Sequence, residues 1–249
     1  MKLSMPAQQT RAVLLDIEGT TTPVEFVYEI LFPFARSHVR EFVEQHFNSE
    51  AVRADVEALR EEHRADALKG NGPPAWGEDS ASLLLASAVS YVHWLMDQDR
   101  KSRALKSLQG KIWEGGYRTG RLRGQVYADV PPAFERWKKQ GRGIYIFSSG
   151  SVLAQKLIFA HTTEGNLTQY LNGYFDTTTG AKTSAASYQS IGKKIGAPAA
   201  EILFVSDVAA ELDAARDAGM GTALCVRPGS REPEQSAHTV IHTFDEILP

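Results

Sequence analysis

Short apolar, β-branched runs recur along this chain, and each closes on a cluster of acidic, hydroxyl or glycine residues. Val13-Leu14-Leu15 leads into Asp16-Ile17-Glu18-Gly19-Thr20, Ile144-Tyr145-Ile146-Phe147 into Ser148-Ser149-Gly150, and Ile202-Leu203-Phe204-Val205 into Ser206-Asp207, with Glu211 four residues on. Apolar runs of this length read as buried strands. The polar clusters therefore fall where strands end and helices or loops begin. In an open α/β sheet that carboxyl edge is where ligands bind.

The order of elements predicts the fold class. From about residue 126, strand and helix patterns alternate: 133–140, 143–147, 151–160, 173–176, 184–195, 201–205, 208–218 and 222–226. Alternating β and α segments predict a parallel sheet flanked by helices. The first strand, 11–16, stands apart from them. Between lie some hundred residues with apolar positions at helical spacing, such as Phe26, Ile30, Leu31 and Phe34. This stretch is interrupted by the breaker cluster Lys69-Gly70-Asn71-Gly72-Pro73-Pro74. The expectation is an α/β, doubly wound parallel-sheet core from residues 1–20 and 120–249, with an inserted all-helical cap domain at 21–119. Asp129, ahead of Pro131 and Pro132, reads as the cap of the helix that opens the second part of the core.

Composition narrows the function classes. The 249 residues include 43% hydrophobic and 23% charged, an ordinary balance for a globular protein. A net charge of −3 argues against a nucleic-acid footprint, which needs clustered basic residues. Cys225 is the one cysteine and sits in an apolar run, which excludes a disulfide framework and fits a reducing, cytoplasmic setting. The opening MKLSMPAQQT has no apolar segment of signal-peptide type. No apolar stretch approaches the ~20 residues that span a bilayer, so no membrane partner is expected.

Each cluster carries chemistry that becomes specific only in combination. Asp16 and Glu18 are two apart at a strand end, and alternation points such positions the same way. One carboxylate can attack phosphorus while the other serves as acid and then base. Ser148, Ser149 and Gly150 offer hydroxyl and backbone N–H groups ahead of a helix, an anion cradle. Lys182, before the helix at 184–195, supplies a cation able to hold phosphate and neutralise a carboxylate. Asp207 and Glu211, four apart, are expected to share a helix face. Hard magnesium takes one or two such carboxylates plus phosphate and water. Taken singly, these residues have ordinary explanations as a loop acid pair, an N-cap serine, a solvated lysine and first-turn acids. Converging on one sheet edge, they point to magnesium-dependent phosphoryl transfer. No His pair has metal-ligand spacing, and Arg227-Pro228-Gly229 carries no assigned role.

The order Asp-x-Glu, Ser, Lys, Asp resembles the four-motif pattern of the haloacid dehalogenase-like hydrolase superfamily. Over nearly the whole chain it is similar to the enolase-phosphatase E1 family (acireductone synthase, methionine salvage). The segments that carry this are LLDIEGTTTPVEFVYEILFPFA, DRKSRALKSLQGKIW, YADVPPAFERW, YIFSSGSVLAQKLIFAHTTEG, GYFDTTTGAKTSAASY, ILFVSDVAAELDAARDAG and the closing VRPG. Glu18 stands where the superfamily usually has a second Asp, a departure that matches this family. The resemblance implies enolisation and then dephosphorylation of 2,3-diketo-5-methylthiopentyl-1-phosphate, a small phosphorylated diketone, to the acireductone 1,2-dihydroxy-3-keto-5-methylthiopentene, through an aspartyl-phosphate. It implies one Mg2+ per subunit and a monomer. It makes Asp16 the nucleophile and a metal ligand, and Glu18 the acid/base, with its backbone carbonyl on the metal. It has Ser148 and Ser149 binding phosphate, Lys182 bridging phosphate and Asp16, and Asp207 a further metal ligand. Gly150 and Glu211 are supporting. Glu18, by its reach, is expected to serve in enolisation as well. An apolar pocket for the methylthio tail is expected among Phe26, Tyr28, Phe32 and Trp113.

Three other readings share parts of this pattern. A generic magnesium-dependent sugar-phosphate phosphatase would use every core residue named. A dehalogenase needs neither magnesium nor the second acid. A phospho-accepting receiver module joins acids, a hydroxyl and a lysine on a similar sheet, but is about half as long and lacks the helical insertion.

Overall fold

The computed structural model of the protein describes residues 9–230 and 234–249. The segment read as lacking a signal peptide lies largely outside the described residues, in 1–8. In chain order the elements are β1 (Ala12–Leu15), α1 (Phe32–His46), α2 (Glu50–Leu68), α3 (Ala81–Asp97), α4 (Arg103–Arg118), α5 (Val130–Lys139), β2 (Gly143–Phe147), α6 (Val152–Ala160), β3 (Gly173–Phe175), α7 (Ala185–Ile195), β4 (Ile202–Ser206), α8 (Ala209–Asp217), β5 (Gly221–Cys225) and β6 (Thr239–Ile241). A π-helical turn, Phe26–Leu31, precedes α1.

The chain divides into two compact units, Met1–Val27 with Arg123–Pro249, and Tyr28–Leu122. Both divisions fall a few residues beyond the boundaries drawn from the sequence at 20 and 119. They follow packing, not composition: the first connector stays with the sheet as far as Val27.

The first unit is a six-stranded sheet of order β3-β2-β1-β4-β5-β6, parallel throughout. Every residue of β1, β4 and β5 is buried, as strands covered on both faces require. Alternation divides the side chains between two cores. Ala12 and Leu14 join Phe147, Tyr188, Ile191, Phe204 and Leu212 under α7 and α8. On the other side Trp137 meets Phe134 at 6.2 Å and Phe244 at 5.4 Å, all three fully buried. The chain winds one way from β1 through β2 to β3 and the other way from β4 through β5 to β6. The reversal leaves a crevice between the carboxyl ends of β1 and β4.

Strand β6 is absent from the sequence reading. Its three residues, Thr239-Val240-Ile241, are too few to show a period, and pairing with the end of β5 is what makes them a strand. Asp129 departs from expectation as well. It precedes α5 but makes no side-chain cap bond. Its Oδ2 instead accepts from Arg227 Nη1 at 2.7 Å and from Phe244 N at 2.6 Å.

The second unit is entirely helical. The two long helical runs read from the sequence are four helices, because Ser49 and Ser102 cap α2 and α4, accepting from Val52 N at 3.3 Å and Leu105 N at 3.1 Å. The breaks, residues 47–49 and 98–102, are short and contain neither Gly nor Pro, so no breaker marks them in the sequence. Asp66 organises the interior, accepting from Tyr91 Oη at 2.6 Å, Asn71 Nδ2 at 2.8 Å and Arg100 Nη2 at 2.9 Å. Those bonds also pin the breaker segment through Asn71.

Leu14 is central in the sheet and fully buried. Leu14→Ala is expected to destabilise the protein by roughly 2–5 kcal/mol in urea denaturation. A cost below about 1 kcal/mol would contradict the placement of Leu14 in a close-packed core.

Candidate active site

Asp16 lies one residue past β1, and its N–H continues the ladder to Val205 O at 3.0 Å. The chain then coils on itself. Ile17 O accepts from the N–H groups of Thr20, Thr21 and Thr22 at 3.2, 3.0 and 2.9 Å, and Gly19 N donates to Thr22 O at 2.9 Å. Thr21 Oγ1 donates to Asp16 O at 3.1 Å. Gly19 makes this turn possible in two ways. Its φ is +68°, a conformation costly for other residues, and a Cβ there would stand 2.3 Å from Asp207 Oδ2. The loop from β1 and the carboxylate after β4 thus meet at the crevice.

Lys182 enters from the loop between β3 and α7. Its Nζ lies 2.5 Å from Asp16 Oδ1 and 2.7 Å from Glu211 Oε2, and 5.8 Å from the Phe147 ring centroid. Tyr188 Oη donates to Lys182 O at 2.7 Å, and Ser187 Oγ to Ala181 O at 2.7 Å. Two residues of α7 therefore fix the backbone from which the lysine reaches in.

Ser148 is buried at the end of β2. Its Oγ donates to Glu18 Oε2 at 3.3 Å and accepts from Gly150 N at 3.0 Å. The N-cap of α6 is Ser151, which accepts from Ala154 N at 3.3 Å. Capping therefore falls to neither Ser148 nor Ser149, and Ser149 is exposed. Gln155, which the sequence reading passed over, holds this turn from below. Its Nε2 donates to both Gly150 O and Phe175 O at 2.8 Å.

Asp207 and Glu211 do not share a helix face as expected. Helix α8 begins only at Ala209, after Val208 in extended conformation, so Asp207 lies outside it. The Ser206 hydroxyl decides this: it accepts from Val208 N at 3.1 Å and donates to Glu211 Oε2 at 3.1 Å. Glu211 is thereby turned to Lys182, and Asp207 is left at the Gly19 loop. Of the aromatics expected to line a pocket, Phe26 and Trp113 are buried and Tyr28 is exposed, and Phe32 lies 5.6 Å from the Tyr28 ring and 6.1 Å from that of Trp113.

The electrostatics are those of crowded acids. Burial first, then the charge of Asp16, pushes Glu18 up to about 7 from 4.5. Burial, then Asp16, and to a lesser degree Glu211, pushes Asp207 up to about 6. Glu211 is raised by burial first and then by Asp16. Burial opposes the charge on Lys182, but Asp16 and Glu211 outweigh it and hold the ammonium above the ordinary lysine range. Among the described residues no cage of three His, Cys, Asp or Glu side chains exists. Magnesium needs no such cage: the Asp16 and Asp207 carboxylates and a backbone carbonyl are hard oxygens that could hold it together with phosphate and water. Carboxylates that raise one another's pKa are the environment a divalent cation relieves.

A raised carboxylate pKa has a defined consequence for stability. Between about pH 4.5 and 7 the unfolded chain releases the Glu18 proton that the folded chain keeps. Stability from this group is therefore full below pH 4.5 and is lost as pH rises through 7. In EDTA, Glu18→Gln is expected to melt above the parent protein at pH 8 and to show no such advantage at pH 4. An equal difference at both pH values would mean that Glu18 titrates normally.

The model of the haloacid dehalogenase-like hydrolase family matches residues 10–219. The chain is 51% identical to enolase-phosphatase E1 of Synechococcus elongatus, over 94% of this chain and 96% of that one. It is 41% identical to enolase-phosphatase E1 of Salmo salar, over 98% and 97%. Among solved structures, the UTR4 protein of Saccharomyces cerevisiae superposes with a TM-score of 0.76 at 35% identity, covering 95% of this chain and 99% of that one. A matched family model across most of the chain, near-full-length relatives, and an acid pair meeting a lysine at the switch point of a parallel sheet agree: the chain belongs to the enolase-phosphatase E1 family of haloacid dehalogenase-like hydrolases.

Proposed function

We propose that this protein is a magnesium-dependent enolase-phosphatase. It converts 2,3-diketo-5-methylthiopentyl-1-phosphate, by way of the enol phosphate, to 1,2-dihydroxy-3-keto-5-methylthiopentene and phosphate in methionine salvage. The observation that carries the reading is the pairing of a lysine-held Asp16 with Glu18, whose pKa lies at about 7, in a chain half identical to relatives of that name.

Ser148, Ser149 and Lys182 receive the phosphate of the substrate, with Gly150 supporting Ser148. Glu18 removes the proton from the carbon that bears the phosphate, next to a carbonyl, and the electron pair moves onto the carbonyl oxygen, which takes a proton from solvent to give the enol phosphate. A carboxyl group with a pKa near neutrality suits this, since it can both take and return a proton at working pH. Asp16 then attacks phosphorus, forming an aspartyl-phosphate as the bond to the enol oxygen breaks, and the proton on Glu18 goes to the departing oxygen. In the second half Glu18 takes a proton from water, which attacks phosphorus of the acyl phosphate and regenerates Asp16, and Glu18 then releases that proton to solvent and returns to its carboxylate. The chemistry that magnesium supplies, held by Asp16, the Glu18 carbonyl and Asp207, is neutralisation of the negative charge on the transferring phosphoryl group. Glu211 acts one step back, holding Lys182 against Asp16. The protein is expected to be a cytoplasmic monomer, and a sedimentation experiment should return a single species near the chain mass of 27.4 kDa.

The diketone phosphate, with Mg2+ or with EDTA, tests the whole reading. The expected record is a transient enol absorbance followed by phosphate release, with release abolished by EDTA. Release from simple sugar phosphates with no turnover of the diketone would replace the enolase-phosphatase with a generic phosphatase. Asp16→Asn should bring phosphate release to background. Glu18→Gln should slow it about a hundredfold to ten-thousandfold, the range for loss of a general acid–base group. If Glu18→Gln enolises at the normal rate while failing to release phosphate, another base serves the first step.

A further inference from the structure

Arg227 lies just past β5 and is buried, 3% exposed. Its guanidinium joins several stretches of chain that are distant in sequence. Nε donates to Thr20 O at 2.9 Å, and Nη1 donates to Asp129 Oδ2 at 2.7 Å and to His242 O at 3.2 Å. The plane is flanked by two rings, its central carbon 4.3 Å from the Tyr127 centroid and 4.6 Å from that of Phe244. Tyr127 N in turn donates to Thr21 O at 3.1 Å. The loop that carries Asp16 and Glu18 is thus fastened on its far side by Arg227 and Tyr127 together.

Apolar residues would close such a corner at less expense. A buried guanidinium loses its hydration, and replacing a buried ion pair with packed hydrophobic residues is often neutral or stabilising. What they cannot do is hold a backbone carbonyl at a set distance and angle. Arginine can, because its donors form a rigid planar fork and its faces stack on aromatic rings, and lysine shares neither property. Thr20 is two residues from Glu18, and its own N–H is bonded to Ile17 O between the two acids. A shift at Thr20 is therefore carried through the turn to both carboxylates.

We propose that Arg227 is a positioning residue for phosphoryl transfer: through Thr20 O it fixes the Asp16–Glu18 turn in register with Lys182 and Asp207. The proposal rests on Asp16 and Glu18 acting as nucleophile and acid/base.

The test compares Arg227→Ala and Arg227→Lys with the parent protein at 10 °C. Phosphate release from a phosphate monoester is followed with saturating Mg2+, and amide hydrogen exchange is followed in parallel. The expected result for Arg227→Ala is a kcat lower by between about tenfold and a hundredfold, the scale of a small misplacement of reacting groups. The KM should change little. Guanidinium chloride below denaturing concentration should restore kcat by entering between Tyr127 and Phe244, while sodium chloride at equal ionic strength should not. Arg227→Lys should fold and remain slow. The amides of Thr20, Thr21 and Thr22 should lose protection in both variants while those of β1 keep it. A folded Arg227→Ala enzyme with parental kcat overturns the proposal. So does rescue by sodium chloride, or failure of both variants to fold, which would make Arg227 a stability element alone. If the parent protein releases phosphate from no monoester, the reading of the site falls, and exchange still decides on Arg227: unchanged protection at Thr20, Thr21 and Thr22 counts against it.

Discussion

The ammonium of Lys182, between Asp16 and Glu211, is the interaction on which the rest of this site depends. Like charges about 4 Å apart at a protein surface repel by roughly 4 kcal/mol. Gathering Asp16, Glu18, Asp207 and Glu211 at one crevice would cost several such terms. One buried cation offsets part of that cost, and the remainder appears as the raised pKa values of Glu18, Asp207 and Glu211. That remainder is useful. It leaves Glu18 able to exchange a proton near neutral pH, and it leaves unbalanced negative charge at the crevice, an environment that a divalent cation relieves.

The scaffold makes this arrangement stiff. Lys182 is set by α7 through Tyr188 and Ser187, Glu211 by the Ser206 hydroxyl, and Ser148 by Gln155 and the end of β3. None of these supports touches the reacting atoms. Each belongs to an element whose other face is buried in one of the two cores, so movement at the site would disturb close packing. Gly19 has the opposite role. It removes a side chain where the Asp16–Glu18 loop and Asp207 come together, and a methyl group there would separate the two halves of the crevice.

How much was legible depended on whether local sequence or distant contact decided the matter. The strand-end positions of Asp16, Ser148 and Asp207 were readable because an apolar run followed by polar residues is a local pattern. The mutual position of Asp207 and Glu211 was not. Spacing of four suggested one helix face, but the Ser206 hydroxyl delays the start of α8 and turns the two acids to different partners. Asp129 looked like a helix cap, and a buried arginine nearly a hundred residues away claimed its carboxylate. Gln155 and Arg227 fall within segments that carry the family resemblance, but no role could be read for either, since no local period shows what a lone glutamine on an apolar helix or a lone arginine near the end of the chain will touch.

By itself the sequence determined the fold class, the helical insertion and the strand-end clusters that meet at the crevice. Periodicity, turn residues and motif order are properties of neighbours in the chain. The tertiary structure alone decided which strands lie side by side, and hence that the crevice opens between β1 and β4. It also decided that Lys182 serves Asp16 and Glu211 together, and that Arg227 reaches Thr20. The side-chain contacts among these span 29 to 207 positions. Their free energy comes from burial and the loss of water, which depend on the finished packing and leave no mark on the order of residues nearby.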